Sequence, residues 1–407
     1  MRSSKSLVLT SVLLSLSGVS GSVFGGAIDV PQQGARASGQ AEAFAAQADD
    51  ASAIWHNPAG ITQLSGTNVT AGGTTVFPTW VFHSATGQEQ TMQLPSMLPY
   101  FYVESDFGLQ NWRFGFGINN PFGLKEDWGN SGPLRTVEQH AHMYTFNFAP
   151  SVAYKINEHV SVGVDLNVYW SELELAHSVV FGAPPTPEGQ FHYRGEDMAV
   201  GVTPAIMWKI DDRNTLAAVY RSPFTMTYSG HARVMTPGMA DIGPTTSTLD
   251  IPFPQMATLA YAMRPVRNLK LEADVVWTDW NVVNNLVLNS SNPAFNKTTI
   301  KDDWKSGFSY RFGTQYDLNK NWALRAGYAY GQNAVPTSTY SPLVPDSNYH
   351  LFSVGLGYSQ ANWSLDVAYQ YIYREKRHIS GSVNSPTVDG TWDNNFNELM
   401  ASLTLKL

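Results

Sequence analysis

The chain contains no cysteine, so no disulfide can hold it together. A fold exported without disulfides must rest on burial and backbone hydrogen bonding. Charge is also scarce. Asp, Glu, Lys and Arg make up 14% of the residues, against about 25% in an average chain. Basic residues are not in excess. The formal net charge is −8, which argues against a nucleic-acid partner, since that would select a basic face. Long hydrophobic runs are missing as well. Mean hydropathy is −0.20, and no apolar run reaches the roughly twenty residues of a transmembrane helix. Aromatics, by contrast, are abundant at 13%. Low charge, many aromatics and no apolar helix together point to a membrane β-barrel, whose strands are apolar on one face only.

The first residues stand apart. "MRSSKSLVLTSVLLSLSGVSGSVFGG" sets basic Arg2 and Lys5 before an apolar run from Leu7 to about Leu16, followed by small residues. This is the layout of a secretory signal peptide over residues 1–25, cleaved near Gly25 or Gly26. Its removal makes the net charge more negative.

Further on, a period of two dominates. In "WSLDVAYQYIYR", Trp363, Leu365, Val367, Tyr369, Tyr371 and Tyr373 share one face. Ser364, Asp366, Ala368, Gln370 and Arg374 share the other, with Ile372 as the exception. "VSVGVDLNVYW", "FSYRFGTQY" and "LKLEADVVW" repeat the pattern, which marks strands with one apolar face. Alternation alone does not separate a soluble sandwich from a barrel. The turns do. Short polar turns such as "KINEH", "KIDDRN", "LNKN" and "SQAN" alternate with long Pro- and Gly-rich connections such as "FGAPPTPEGQ" and "NAVPTSTYSPLVPDSN". Short turns at one end and long loops at the other are the asymmetry of an outer-membrane barrel. Trp112, Trp208, Trp322 and Trp363 lie near strand ends, as an interfacial girdle requires. Over residues 66–407 the segments count to fourteen, an even number that leaves both termini on the periplasmic side. The last strand alternates Leu399, Ala401, Leu403, Leu405 and Leu407 outward. Barrels of this kind usually end in an aromatic, and Leu407 departs from that.

Fourteen strands enclose a lumen too wide for wall side chains to fill. Residues 26–65 are the candidate plug. "QAEAFAAQA" favours helix. Asp50 can cap "ASAIWH", and Pro58 pushes Asn57 out of helical geometry so that Asn57 caps one last turn. The alternative is a helical tail left in the periplasm.

"GARASGQAEAFAAQADDASAIWHNPAGITQL", "FGFGINNPFGL" (114–124), "NFAPSVAYKINEHVSVGVDL" (147–166) and "DDWKSGFSYRFGTQYDLNKNWALRAGYAYG" (302–331) resemble, in order and spacing, the outer-membrane long-chain fatty-acid and hydrocarbon transporters of the FadL/TodX type. The likeness runs over essentially the whole chain after the leader. It implies a monomeric fourteen-stranded barrel with an N-terminal hatch, anchored at Asn57, Pro58 and Ala59. It implies a hydrophobic small molecule as cargo, with Phe44, Ile54, Trp55 and Ile61 as candidate pocket lining. Release would be sideways into outer-membrane lipid, at a kink in the third strand involving Gly115, Phe116, Gly117, Asn119, Asn120 and Pro121. In this chain Gly115 and Gly117 would relax that strand and Pro121 cannot donate to a ladder. The alternative is an ordinary strand ending in a turn.

No catalytic constellation, cofactor or metal site emerges from the sequence. His140 and His142 share a strand face, but without a paired carboxylate they read as solvated histidines. Arg221, Arg311 and Arg325 read as lumenal partners of acids such as Asp274 or Asp366, the alternative being that one of them meets a fatty-acid carboxylate. Two other functions stay open: a porin for small solutes, which would lack the plug, and an outer-membrane barrel enzyme.

Overall fold

A computed structural model of the chain describes residues 26–181, 188–238 and 240–407. The leader expected at 1–25 lies outside the described residues, as does part of the long connection "FGAPPTPEGQ". Among the described residues the architecture is one closed antiparallel barrel of fourteen strands. In chain order these are β1 (Thr67–Ser84), β2 (Ser96–Ser105), β3 (Trp112–Asn119, resuming at Gly123–Asp127), β4 (His140–Lys155), β5 (Val160–Val179), β6 (Gly189–Lys209) and β7 (Asn214–Arg221, then Phe224–Met235). They continue with β8 (Ile242–Phe253, then Met256–Val266), β9 (Leu269–Thr278), β10 (Gly307–Asp317), β11 (Trp322–Gly331), β12 (Tyr349–Ser359), β13 (Trp363–Arg374) and β14 (Gly390–Lys406). The barrel closes where β1 meets β14, in unbroken register from Asn68↔Lys406 to Ser84↔Gly390.

The packing is inverted relative to a soluble protein. Val164, Leu166, Leu365, Val367, Tyr369 and Leu399 are exposed, while their chain neighbours Asp165, Asn167, Asp366, Gln370 and Glu398 are buried. The outward side chains are apolar because their solvent is lipid, and the polar ones turn inward. Trp112, Trp208, Trp322 and Trp363 are all exposed near the short-turn end, and Trp322 and Trp363 each pack on Tyr358 at ring-centroid distances of 4.6 and 5.5 Å. Ile372, which broke the alternation, points inward with zero exposure and joins an apolar cluster that fills the opposite end of the barrel. That cluster contains Trp80, Phe82, Trp392 and Phe396, with Phe122, Tyr169, Phe224 and Phe253 stacked deeper in.

Strand length shows how much of the barrel lies outside the lipid. A bilayer is crossed by about 9–11 tilted residues. The β5 and β6 strands have 20 and 21, so about half of each projects beyond the lipid on the long-loop side.

Candidate functional site

Residues 26–64 run inside the barrel and are nearly all buried. They contain two short helical turns, Ala35–Ser38 and Ala53–His56, and a 3-10 turn at Pro58–Gln63. Asp50 accepts hydrogen bonds from the backbone and hydroxyl of Ser52 (2.9 and 2.5 Å), just ahead of the second turn. Asn57 caps the third by accepting from Ala59 N at 3.0 Å, with Pro58 at its first position. The Ala-rich stretch 40–48, expected as helix, is instead a chain of turns. Ala41, Glu42 and Ala48 have positive φ of 52°, 65° and 39°.

Contacts with the wall account for that difference. Four successive amides are taken by two strand carboxylates. Phe44 N and Ala45 N donate to Asp274 Oδ2 (3.2 and 3.4 Å), and Ala46 N and Gln47 N donate to Glu272 (2.6 and 2.9 Å). Amides committed to β9 are not free to bond along a helix, so tertiary partners override local propensity. We expect Glu272→Ala with Asp274→Ala to leave these four donors orphaned, at about 1–3 kcal/mol each. Amide exchange at 44–47 should accelerate by at least about tenfold while the barrel ladders keep their protection. Unchanged exchange at those four positions would show that the carboxylates do not hold the segment.

Glycines on the wall provide the seats. A Cβ on Gly163 of β5 would fall under 3.0 Å from the backbone of Pro58 and Ala59. Ser161 beside it donates to Ala59 O at 3.2 Å. Pro58 and Ala59 therefore lie flat on β5, and Asn57 Nδ2 reaches back to Ala45 O at 2.6 Å. Gly313 and Gly327 pair across β10 and β11 and make a second flat patch, where added Cβ atoms would meet Gln40 and Ala41 backbone under 3.0 Å.

A buried ion network ties the segment to β9, β11 and β13. Arg36 faces Asp49, Asp50 and Asp366 at 3.2–3.5 Å, Lys270 meets Asp49 at 2.6 Å, and Arg325 meets Asp366 at 2.7 Å. Burial acts to raise Asp49, but Lys270 and Arg36 outweigh it and hold its carboxyl well below the usual range. Burial pushes Glu42 up to about 7, moderated by a hydrogen bond from Gln370 and the charge of Arg311. The arginine expectation holds for Arg325 alone. Arg221 lies over the Trp55 ring at 3.7 Å and donates to Trp55 O, and Arg311 reaches Glu42 O at 3.5 Å. Both meet the backbone of the inner segment in place of Asp274, whose Oδ2 is occupied by amides.

The β3 strand breaks at Asn120–Pro121–Phe122. Gly115, Phe116 and Gly117 precede the break and sit in regular ladders with both β2 and β4. These two glycines do not loosen the strand. The space left by their absent Cβ atoms is filled by Ile54, with Tyr102 beside Gly117. Asn119 is the last ladder residue and donates to Tyr102 Oη at 3.2 Å. After it, β3 stays paired with β4 but no longer with β2, whose residues 96–100 pair with no strand on that side among the described residues. Inner residues satisfy the freed β3 edge. Val30 N donates to Pro121 O (2.8 Å) and Gly123 N to Ile28 O (3.2 Å), around an antiparallel bridge Asp29↔Phe122. Gln33 adds side-chain bonds to Asn120 O and N (2.8 and 3.2 Å). A crevice of about 10 Å³ at the break is lined by Asn120, Phe122, Gly123, Tyr144 and Phe146.

Of the residues expected to line a pocket, Trp55 borders a polar space of about 30 Å³ with Asp29, Arg221 and Arg311. Phe44 packs edge-on to His56. Ile54 fills the glycine gap, and Ile61 joins a buried cluster against the wall. The larger space lies in the projecting half of the barrel. It is a cavity of about 490 Å³, walled by Leu175, Phe191, Leu249, Leu288, Phe295 and Leu343. None of those six was singled out from sequence, because they come from five separate strands and loops. Gly163, Gly313 and Gly327 carried a usable signal: glycine inside a strand marks close backbone approach.

The sequence profile of the outer membrane protein transport family (OMPP1/FadL/TodX) matches residues 16–402. The chain belongs to that family. Like other members it is an outer-membrane β-barrel of Gram-negative type, and the family takes up hydrophobic substrates. The chain is similar to the long-chain fatty acid transport protein of Salmonella typhi, 22% identical over 82% of this chain and 84% of that one. Among solved structures, a FadL homologue of Pseudomonas aeruginosa superposes with a TM-score of 0.83 at 19% identity, covering 93% of this chain and 99% of the other. The toluene transporter TodX of Pseudomonas putida gives 0.69 at 17% identity, covering 88% and 94%. At these identities the structural likeness speaks for the family's fold.

Proposed function

We propose that this protein, acting as a monomer and not as an enzyme, carries a long-chain fatty acid or a small hydrocarbon across the outer membrane and releases it sideways into lipid. Cargo first occupies the apolar cavity in the projecting half. Residues 26–65 act as a hatch anchored at Asn57, Pro58 and Ala59, and no cofactor takes part. Exit is between β2 and the outer part of β3, beside Asn119, Asn120 and Pro121. The observation that carries this reading is the broken β2–β3 ladder, whose free edge is covered by residues 28–33 and not by a strand. Backbone groups left unpaired at lipid depth are tolerated only where protein encloses them, so the inner segment serves as a removable cover. Release into water would cost a long chain about 0.8 kcal/mol per methylene, or roughly 8 kcal/mol for ten. Lateral exit avoids that cost.

In cells lacking their own transporter, the protein should restore uptake of labelled long-chain fatty acid or monoaromatic hydrocarbon. Purified and reconstituted in planar bilayers, it should pass few ions. High steady conductance without hydrophobic uptake would establish a porin instead.

A further inference from the structure

We propose that His140, Glu174 and His192 form a binding site for a divalent transition-metal ion of the zinc class. From sequence, His140 lacked a carboxylate partner. The barrel supplies one from the neighbouring strand. The β4–β5 ladder sets His140 opposite Ala176, and the β5–β6 ladder sets Ala176 opposite His192. The two histidines therefore flank β5 on one face of the wall. Glu174, two residues along β5, points the same way. Its Oε1 lies 2.7 Å from His192 Nε2 and 3.3 Å from His140 Nε2. All three ligand atoms fall within 4.8 Å of one another.

That spacing suits a small tetrahedral ion. With metal–ligand distances of about 2.0–2.1 Å, neighbouring ligands sit roughly 3.3 Å apart. One ligand pair already has this separation. The others need only rotamer shifts, which partly exposed side chains on a rigid ladder can make. Two imidazoles and one carboxylate favour zinc over calcium or magnesium, which prefer oxygen alone. Three protein ligands leave a fourth position open.

The location gives the site a physical consequence. It lies on the long-loop side of Tyr144, Phe146 and Trp170, which share the outward face of β4 and β5. His140 also borders the 490 Å³ cavity. A bound ion would cross-link β4, β5 and β6 where they rise beyond the lipid, and would stiffen one wall of that cavity.

The test uses full-length protein in detergent, purified without a polyhistidine tag, equilibrated with Zn²⁺ and passed over a desalting column. We expect the wild type to retain one equivalent. His140→Ala, Glu174→Ala and His192→Ala should each retain less than about a tenth of that, while showing wild-type heat-modifiable migration as evidence of an intact barrel. His231→Ala and His350→Ala, which lie outside the triad, should retain the full equivalent. Co²⁺ in place of Zn²⁺ should give the intense visible bands of a tetrahedral site in the wild type and the two control variants, and in none of the triad variants. Failure of the wild type to retain zinc, or equal retention by triad and control variants, overturns the proposal. The result does not depend on whether the protein transports anything.

Discussion

Oxidation of an Asp29→Cys, Phe122→Cys double variant is expected to lower hydrophobic uptake at least tenfold, and reduction is expected to restore it. The two residues face each other across the isolated bridge, with backbone bonds from Val30 to Pro121 and from Gly123 to Ile28 on either side. Such a non-hydrogen-bonded antiparallel pair has Cα atoms about 4.5 Å apart, within the range a disulfide spans. The chain has no other cysteine to compete. Loss of the Phe122 ring from its cluster with Tyr169, Phe224 and Phe253 is controlled by the reduced double variant and by Phe122→Cys alone. Closure of the bond is read by thiol titration. If the fully oxidised protein takes up cargo at the reduced rate, residues 28–30 do not have to leave the β3 edge, and exit lies elsewhere.

The second large effect concerns the seats. Gly163→Ala together with Gly327→Ala should convert a poorly conducting protein into a pore with sustained ion current. Each added methyl would fall under 3.0 Å from main-chain atoms of the inner segment, and main chain cannot rotate away as a side-chain tip can. Both sites lie on strands with intact ladders on each side. Alanine is compatible with those ladders, so the barrel should assemble and migrate normally while the segment is displaced. Single-channel recording in planar bilayers measures this directly. A folded double variant as silent as the wild type would mean that residues 26–64 do not block ion flow, or that they reseat without cost.

How much of this was legible depends on the range of the interaction involved. The barrel could be read because its cause is local. A strand shows two faces to two solvents, and Trp363, Leu365 and Val367 against Ser364, Asp366 and Ala368 record that choice residue by residue. The count of fourteen followed from the alternation of short turns and long connections. The Asn57-Pro58 elbow was also local, set by proline's restriction on its predecessor and by Asn57's own side-chain bond.

The stretch 40–48 was misjudged for a physical reason. Alanine's helix preference is worth at most about 1 kcal/mol per residue over most alternatives. Four backbone amides bonded to Glu272 and Asp274 would each lose a buried partner in a helix, at about 1–3 kcal/mol apiece, which outweighs it, and those two residues lie more than two hundred positions away. Gly115 and Gly117 were likewise assigned to the kink because they stand before Pro121. Only the packed barrel shows that they make room for Ile54 while the ladder to β2 fails after Ile118.

Sequence alone therefore determined the barrel and its fourteen strands, and marked residues 26–65 as an element distinct from the wall, since each is written in patterns of a few neighbouring residues. Tertiary structure decided where that element is seated, which strand edge it covers, where the cavity lies and that His140 meets a carboxylate at all. Each of these depends on ring closure, which sets side chains from distant strands side by side at a register no local pattern encodes.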